Sequence, residues 1–265
     1  MRVNYITLIP PPVRSAMRDL FGLRLKARAL FVEQVRGKRG LEIGGPSGIF
    51  RYSGLVPIYT YVKSLDNCVF SRTTIWEGTR DDLGPYVFDE HRPAGCNYVL
   101  DATSLSGIRT ETYDFVLSSH SLEHIANPIK ALKEWMRVMK PGGALILILP
   151  NYRKTFDHRR RPTPVKHMFE DFSRDVTEDD STHIEEVLAL HDFSRDPVGG
   201  DYEGFRNRVL NNPRFRTVHH HVFDENNSRE LLEAVGMKVE CVEAAAPHHI
   251  ALLARSPETF CAGSA

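Results

Sequence analysis

Leu41-Glu42-Ile43-Gly44-Gly45-Pro46-Ser47-Gly48 runs a short apolar stretch into a cluster of glycines. Glycines at the end of a strand let backbone approach a ligand closely, at the sheet edge where open α/β folds bind their ligands. The stretch is not the dinucleotide fingerprint. GxGxxG would need glycines at 44, 46 and 49, where this chain has Gly44, Pro46 and Ile49. Taken alone, the segment fits a tight structural turn and a cofactor loop equally well.

Outward from this stretch, strand-like runs alternate with helical periodicity. Apolar positions at helical spacing run from Val13 to Val35 (Met17, Leu20, Phe21, Leu25, Ala29, Leu30). Short apolar runs follow at Ile58–Leu65, Asn97–Leu100 and Tyr113–Leu117. Pro128–Lys140 carries Ile129, Leu132, Trp135, Met136 and Met139 on one stripe. Lys140-Pro141-Gly142-Gly143 stops it, and Ala144–Leu149 is the most strand-like run of all. This alternation predicts α/β architecture, a parallel doubly wound sheet in a single domain over residues 1–265. From Asn151 to about Arg216 the pattern dissolves into charge, Pro, Asp and His, with one short helical signal near His183–Leu190. A structureless loop of that length is improbable in a compact domain, so residues 151–216 are expected to form an inserted segment on the substrate side of the sheet. Beyond it, Ser228–Val235 reads as a helix ended by Gly236, and Lys238–Glu243 with His248–Leu253 as a closing strand pair.

Charge removes several classes. The 265 residues carry 34 Lys+Arg against 34 Asp+Glu, a formal net charge of zero. A protein living on phosphate backbone or anionic membrane is expected to be basic. The longest clean apolar run, Ala144–Pro150, is seven residues, far below the roughly 18 needed to span a bilayer. The N-terminal sequence does not read as a signal peptide. Cys68, Cys96, Cys241 and Cys261 are scattered and read as reduced thiols. The expectation is a cytoplasmic protein. Histidine, at 12 residues, is the unusual component.

An acid two places before the first glycine is the pattern of class I S-adenosylmethionine-dependent methyltransferases, which the chain resembles over about residues 38–150 and in the C-terminal strand pair. Pro46 replaces that family's usual middle glycine. Asp66, about 20 residues past the first glycine, stands where ribose hydroxyls are gripped. Asp101-Ala102, Tyr113–Ser119 followed by Glu123-His124, and Met139–Gly143 match further motifs in order. The resemblance implies a Rossmann-like fold, a mostly parallel seven-stranded sheet with an antiparallel C-terminal strand and an inserted cap. It also implies S-adenosyl-L-methionine as cofactor, contacted by Glu42, Gly44, Gly45, Ser47, Gly48, Asp66, Asp101, Ala102 and Ser118.

His120-Ser-Leu-Glu123-His124 admits several readings. As a bare pattern it matches inverted zinc proteases, but it leaves a strand carrying methyltransferase motifs. Many class I methyltransferases carry Glu-His here as a structural feature. In the small-RNA 2′-O-methyltransferases and the ubiquinone-pathway O-methyltransferases, Glu-x-x-Glu-His binds a divalent metal, completed by a downstream His before a Phe-acid pair. Here His120 replaces the first Glu, and His221-Val-Phe-Asp224 is similar to the downstream element. That resemblance implies a metal site of His120, Glu123, His124 and His221, with His219 or His220 able to substitute for His221. Residues at i, i+3 and i+4 face one side if the segment begins a helix. Imidazole in place of carboxylate favours Zn, Mn, Fe or Co over Mg. His120 and His158 are the candidate catalytic bases. Arg159, Arg160 and Arg161 form the only strongly basic cluster and suit a phosphate, carboxylate or sugar-hydroxyl contact. His183, His191 and Glu178-Asp179-Asp180 read as the insertion's own structure.

An alcohol oxygen is a poor nucleophile until a metal or a neutral His handles its proton, so a His-rich site on this frame favours O-methylation. The whole-chain pattern resembles the sugar O-methyltransferases of polysaccharide biosynthesis, among them 1-O-methyltransferases of methylmannose polysaccharide synthesis. A small glycan or sugar acceptor is therefore expected, and nucleic acid is not. A small-RNA ribose methyltransferase, a methyltransferase of a phenolic small molecule and a catalytically silent cofactor-binding protein are the alternatives.

Overall fold

The computed structural model describes residues 24–74, 78–79, 83–196, 198 and 200–258, together with Val13. Helix α1 (Arg28–Val35) leads into β1 (Arg39–Ile43) and β2 (Ser64–Val69), and β3 (Thr73–Thr74) pairs with β4 (Gly78–Thr79) as a separate ribbon. Then come β5 (Asn97–Val99), β6 (Tyr113–Ser119), α2 (Pro128–Val138) and β7 (Met139–Pro150). Four helices follow, α3 (Val165–Ser173), α4 (Ile184–Leu190), α5 (Tyr202–Leu210) and α6 (Asn212–Phe215). The described chain closes with α7 (Glu225–Ala234), β8 (Lys238–Ala245) and β9 (His249–Arg255).

Seven strands form one sheet in the order β5-β2-β1-β6-β7-β9-β8. Only β9 runs against its neighbours. This is the mostly parallel Rossmann-like sheet with a reversed C-terminal strand that the resemblance implied. The strand order turns at β1 and β6, which places a ligand crevice outside their carboxyl ends. The central strands are buried on both faces, which is why they read as continuous apolar runs. On one face Leu41, Val116, Leu145 and Leu147 pack against Ile129, Leu132 and Trp135 of α2 and Leu231 of α7. On the other, Phe115, Leu117, Ile146 and Ile148 pack against Phe31 and Val35 of α1 and against Phe50, Ile58 and Tyr59. Helix α2 starts where its sequence says it should: Asn127 accepts from the Lys130 amide and Pro128 fills the first turn.

Several boundaries differ from those expected. The helix expected over Val13–Val35 is described as Arg28–Val35. Most of its first half, with Met17, Leu20 and Phe21, lies outside the described residues, as does Cys261. Ahead of α1 the chain turns, because the Lys26 and Ala27 amides donate to the Glu243 carboxylate. The apolar run from Ile58 is a buried turn rather than a strand, and β2 begins only at Ser64. Pro141-Gly142-Gly143 belongs to β7, whose pairing with β6 shifts register there. The segment from residue 151 to 216 is helical, with a small core of Val187, Phe205 and Val209 closed by Val218. No helix among the described residues is long and apolar enough to cross a membrane.

Candidate functional site

A cavity of about 600 Å³ opens at the carboxyl ends of β1 and β6. Its floor is the glycine loop, Ile43 to Gly48, with Val69, Phe70, Leu100 and Ala102 beside it. Gly44 holds φ +77°, and a Cβ there would lie 2.5 Å from Ser121 Oγ. A Cβ on Gly45 would lie 2.4 Å from both Glu42 Cδ and Tyr86 Oη. The loop thus needs glycine for conformation at one position and for space at the next.

Glu42 supports this loop from below and does not line the cavity. It is fully buried, accepts from Tyr59 Oη (2.8 Å), Tyr86 Oη (2.6 Å) and the Ser47 amide (3.1 Å), and burial pushes its carboxyl up to about 7. Gly44, Gly45, Ser47, Gly48 and Ala102 all face the cavity. Asp101 stands just outside, receiving Arg216 Nη2 at 2.6 Å, and Arg216 lines the cavity with its guanidinium 4.7 Å from the Phe70 ring centre. Ser118 is wholly buried within β6; Ser119 faces the cavity instead, 3.2 Å from Ser47 Oγ.

Asp66 is corrected. It lies in the middle of β2, opposite Leu41, and accepts from Arg39 Nη2 (2.8 Å), Tyr113 Oη (2.9 Å) and the Cys96 amide (2.9 Å). It does not line the cavity; Val69 and Phe70 occupy the end of β2 where the ribose acid was expected. Asp66→Ala should therefore act on stability, lowering it by about 1–3 kcal/mol through three stranded donors. Denaturant unfolding should show this loss. Cofactor titration should give a Kd within about twofold of wild type, and a larger weakening would return Asp66 to the binding site.

The histidines divide differently from the expected set. Leu122–His124 is a single 3-10 turn, not the start of a helix. Glu123, His124 and His219 converge, each offering a donor atom within 4.8 Å of the others. Glu123 is 1% exposed, and neither of its oxygens has a hydrogen-bond partner among the described residues. Burial alone would raise its carboxyl, but His120, His124 and His219 hold it below the ordinary value. Burial, and then His219, lower His124 to about 4, so its imidazole is neutral. His219 receives the opposite treatment: against burial, Asp157 at 2.5 Å from Nδ1 raises it. The same pairing, with Arg160, keeps the Asp157 carboxyl at about 2 although burial opposes it. A carboxylate that fixes one imidazole nitrogen sets the tautomer and orientation of the other.

His221 is not a member of this group. It is buried, with Nε2 3.1 Å from Ala126 O, and lies in a separate cluster; Asp224 of the Phe-acid pair caps α7. His120 lines the cavity with a left-handed backbone, φ 52°. Its Nδ1 is 3.5 Å from Glu123 Oε1, and its Nε2 meets His249 Nδ1 at 2.9 Å beside His248. His158 is drawn out of the cavity by Asp192 at 2.8 Å, while its neighbour Asp157 lines it. Arg160 is 2% exposed and structural, Arg159 is on the surface, and the cavity is lined by Arg195, Arg208 and Arg216 instead. Sequence reasoning missed Asp157 and His249. The Asp157 signal was adjacency to His158; His249 becomes visible only once β8 and β9 close as a hairpin.

A family model described as a methyltransferase domain matches residues 14–242. No curated protein matches the chain. Among solved structures, similar chains include one from the complex between the Haloferax volcanii Trm112 methyltransferase activator and its methyltransferase (10% identity, 98% of each chain covered, TM-score 0.48). Another is a SAM-dependent methyltransferase from Aquifex aeolicus (15% identity, 93% of this chain and 98% of that one, TM-score 0.45). A third is an S-adenosylmethionine-dependent methyltransferase from Mesorhizobium loti (14% identity, 86% and 95%, TM-score 0.48).

Proposed function

The chain belongs to the methyltransferase-domain family, whose members use S-adenosylmethionine, and from that premise we propose that it methylates a hydroxyl of a sugar or small oligosaccharide with a divalent metal held by Glu123, His124 and His219. The observation that carries this is Glu123, a buried carboxylate that accepts no close hydrogen bond among the described residues, converging with two imidazoles in the same cavity as the glycine loop. A buried carboxylate is costly unless positive charge faces it, and a cation between Glu123 and the imidazoles would supply that charge. The donor set, two imidazoles and one carboxylate, suits Zn or Mn and leaves open positions.

S-adenosylmethionine, when bound, supplies a methyl carbon that an acceptor oxygen can take as the sulfonium sulfur leaves. The metal, when bound, would make a coordinated hydroxyl more acidic. This chain's own groups do the remaining work. The loop Gly44–Gly48 and Ala102 hold the cofactor, and Asp101 steadies Arg216 at the rim. His120 accepts the acceptor's hydroxyl proton, with His249 as its hydrogen-bonded neighbour. Asp157 orients His219. Phe156 and Phe205 offer aromatic faces, and Arg195, Asp196 and Arg208 polar groups, a mixture that suits a hydroxyl-bearing ring. Zero net charge argues against RNA as acceptor.

The test is transfer from labelled S-adenosylmethionine across oligosaccharides, phenols and short RNAs, with and without chelator. A glycan should be methylated, and chelation should abolish turnover while sparing cofactor binding. Turnover confined to RNA or phenols would reject the acceptor, and a chelator-insensitive rate would reject the metal.

A further inference from the structure

We propose that His167, Asp171, His183 and His221 form a second, structural metal site of the zinc class, separate from the catalytic cavity. His167 and Asp171 stand one helical turn apart on α3, so they share a face. His183 immediately precedes α4, and His221 lies on the loop before α7. Each offers a donor atom within 4.8 Å of the other three. His167 Nε2 is 3.2 Å from His183 Nε2 and 3.3 Å from Asp171 Oδ2. Four ligands at roughly 2.0–2.1 Å around a tetrahedral zinc ion lie roughly 3.3 Å from one another. The His167–His183 and His167–Asp171 spacings match that shell, and the remaining donor pairs lie within 4.8 Å.

The unsatisfied atoms point the same way. The Asp171 side chain is 2% exposed; Arg174 donates to its Oδ1 at 2.8 Å, while Oδ2 is buried and accepts no hydrogen bond among the described residues. His221 is wholly buried: Nε2 lies 3.8 Å from Asp171 Oδ2 and hydrogen-bonds Ala126 O, and Nδ1 has no hydrogen-bond partner among the described residues. Arg174 and Ala126 O thus act as the outer groups that orient ligands. Three imidazoles and one carboxylate complete a tetrahedron and leave no open position, so the site holds structure rather than substrate. It ties α3 and the start of α4 to the loop carrying His219, two residues before His221, and so fixes one wall of the cavity.

The experiment titrates zinc alone into the metal-stripped full chain carrying Glu123→Ala, which disables the cavity site and keeps the two sites distinguishable. Bound zinc is measured by elemental analysis after dialysis, and melting temperature is followed. This parent should retain about one equivalent of zinc and melt several degrees higher with it. Adding His183→Ala should abolish both retention and shift, and His183→Cys should restore them, because thiolate is a zinc ligand. Should His183→Ala not fold, His167→Gln, at a side chain 30% exposed, carries the same expectation. A parent that retains no zinc, or variants that retain as much as the parent, would overturn the site.

Discussion

Glu123→Gln should lower kcat by roughly two to four orders of magnitude while cofactor affinity stays within about twofold. The substitution keeps size and removes the charge that three imidazoles face. Gln offers a metal one weak neutral oxygen where Glu offers a carboxylate, so His124 and His219 alone would hold the ion poorly. Cofactor binding should be spared because the loop Gly44–Gly48 is organised by hydrogen bonds among Glu42, Tyr59, Tyr86 and Ser47. Added metal should not rescue the variant, whereas it should rescue chelated wild type. Single-turnover and steady-state rates with an acceptor that the wild type methylates would measure this, and a variant retaining a tenth of the wild-type rate would remove Glu123 from the mechanism. A loss appearing in KM alone would assign it to acceptor binding.

What could be read beforehand divides along a physical line. β1, β6, β7 and α2 were legible because burial on both sheet faces, or on one helical stripe, writes directly into apolar spacing. The same rule misplaced Asp66. Ile58 and Tyr59 are as buried as any strand residue, but they pack in a turn beneath the sheet. An apolar run records burial and says nothing of hydrogen-bond direction, so it ends at Leu65, where β2 has barely begun. Between residues 151 and 216 the sequence signals α4, near His183–Leu190, while α3 is hidden for the opposite reason. α3 buries Val165, Met168 and the polar Asp171, too few apolar positions to rise above the charge around them. Consecutive histidines carry no periodicity at all. His219 faces Asp157 and the cavity while His221 faces Ala126 and α3, a division set by an irregular loop. The glycine loop was legible as a tight turn at the sheet edge, but the burial of its acid, Glu42, was not, since sequence cannot show that Tyr59 and Tyr86 converge on it.

Arg160→Ala should be the most destabilising change in the basic cluster, at about 3–5 kcal/mol, although in sequence Arg159, Arg160 and Arg161 look alike. The Arg160 side chain is 1% exposed. It donates to Asp157 Oδ1 at 3.1 Å, His219 O at 2.7 Å, His220 O at 3.4 Å and Glu186 Oε2 at 3.0 Å. Its loss leaves two carbonyls and the buried Asp157 carboxylate without their cation, together with a cavity the size of the side chain. Arg159, half exposed and 3.7 Å from Asp192, makes only a surface pair, and Arg159→Ala should change stability by no more than about 0.5 kcal/mol. Urea unfolding of both variants separates the two cases. An Arg160→Ala cost below about 1 kcal/mol would mean that the triple-histidine loop holds itself. Where enough folded Arg160→Ala survives to assay, the rate should fall through kcat, because Arg160 fixes the backbone of His219 and the carboxylate that orients its ring without touching the acceptor. Asp157→Asn should reproduce that fall in kcat, since the amide can no longer hold the His219 ring nitrogen with a charge.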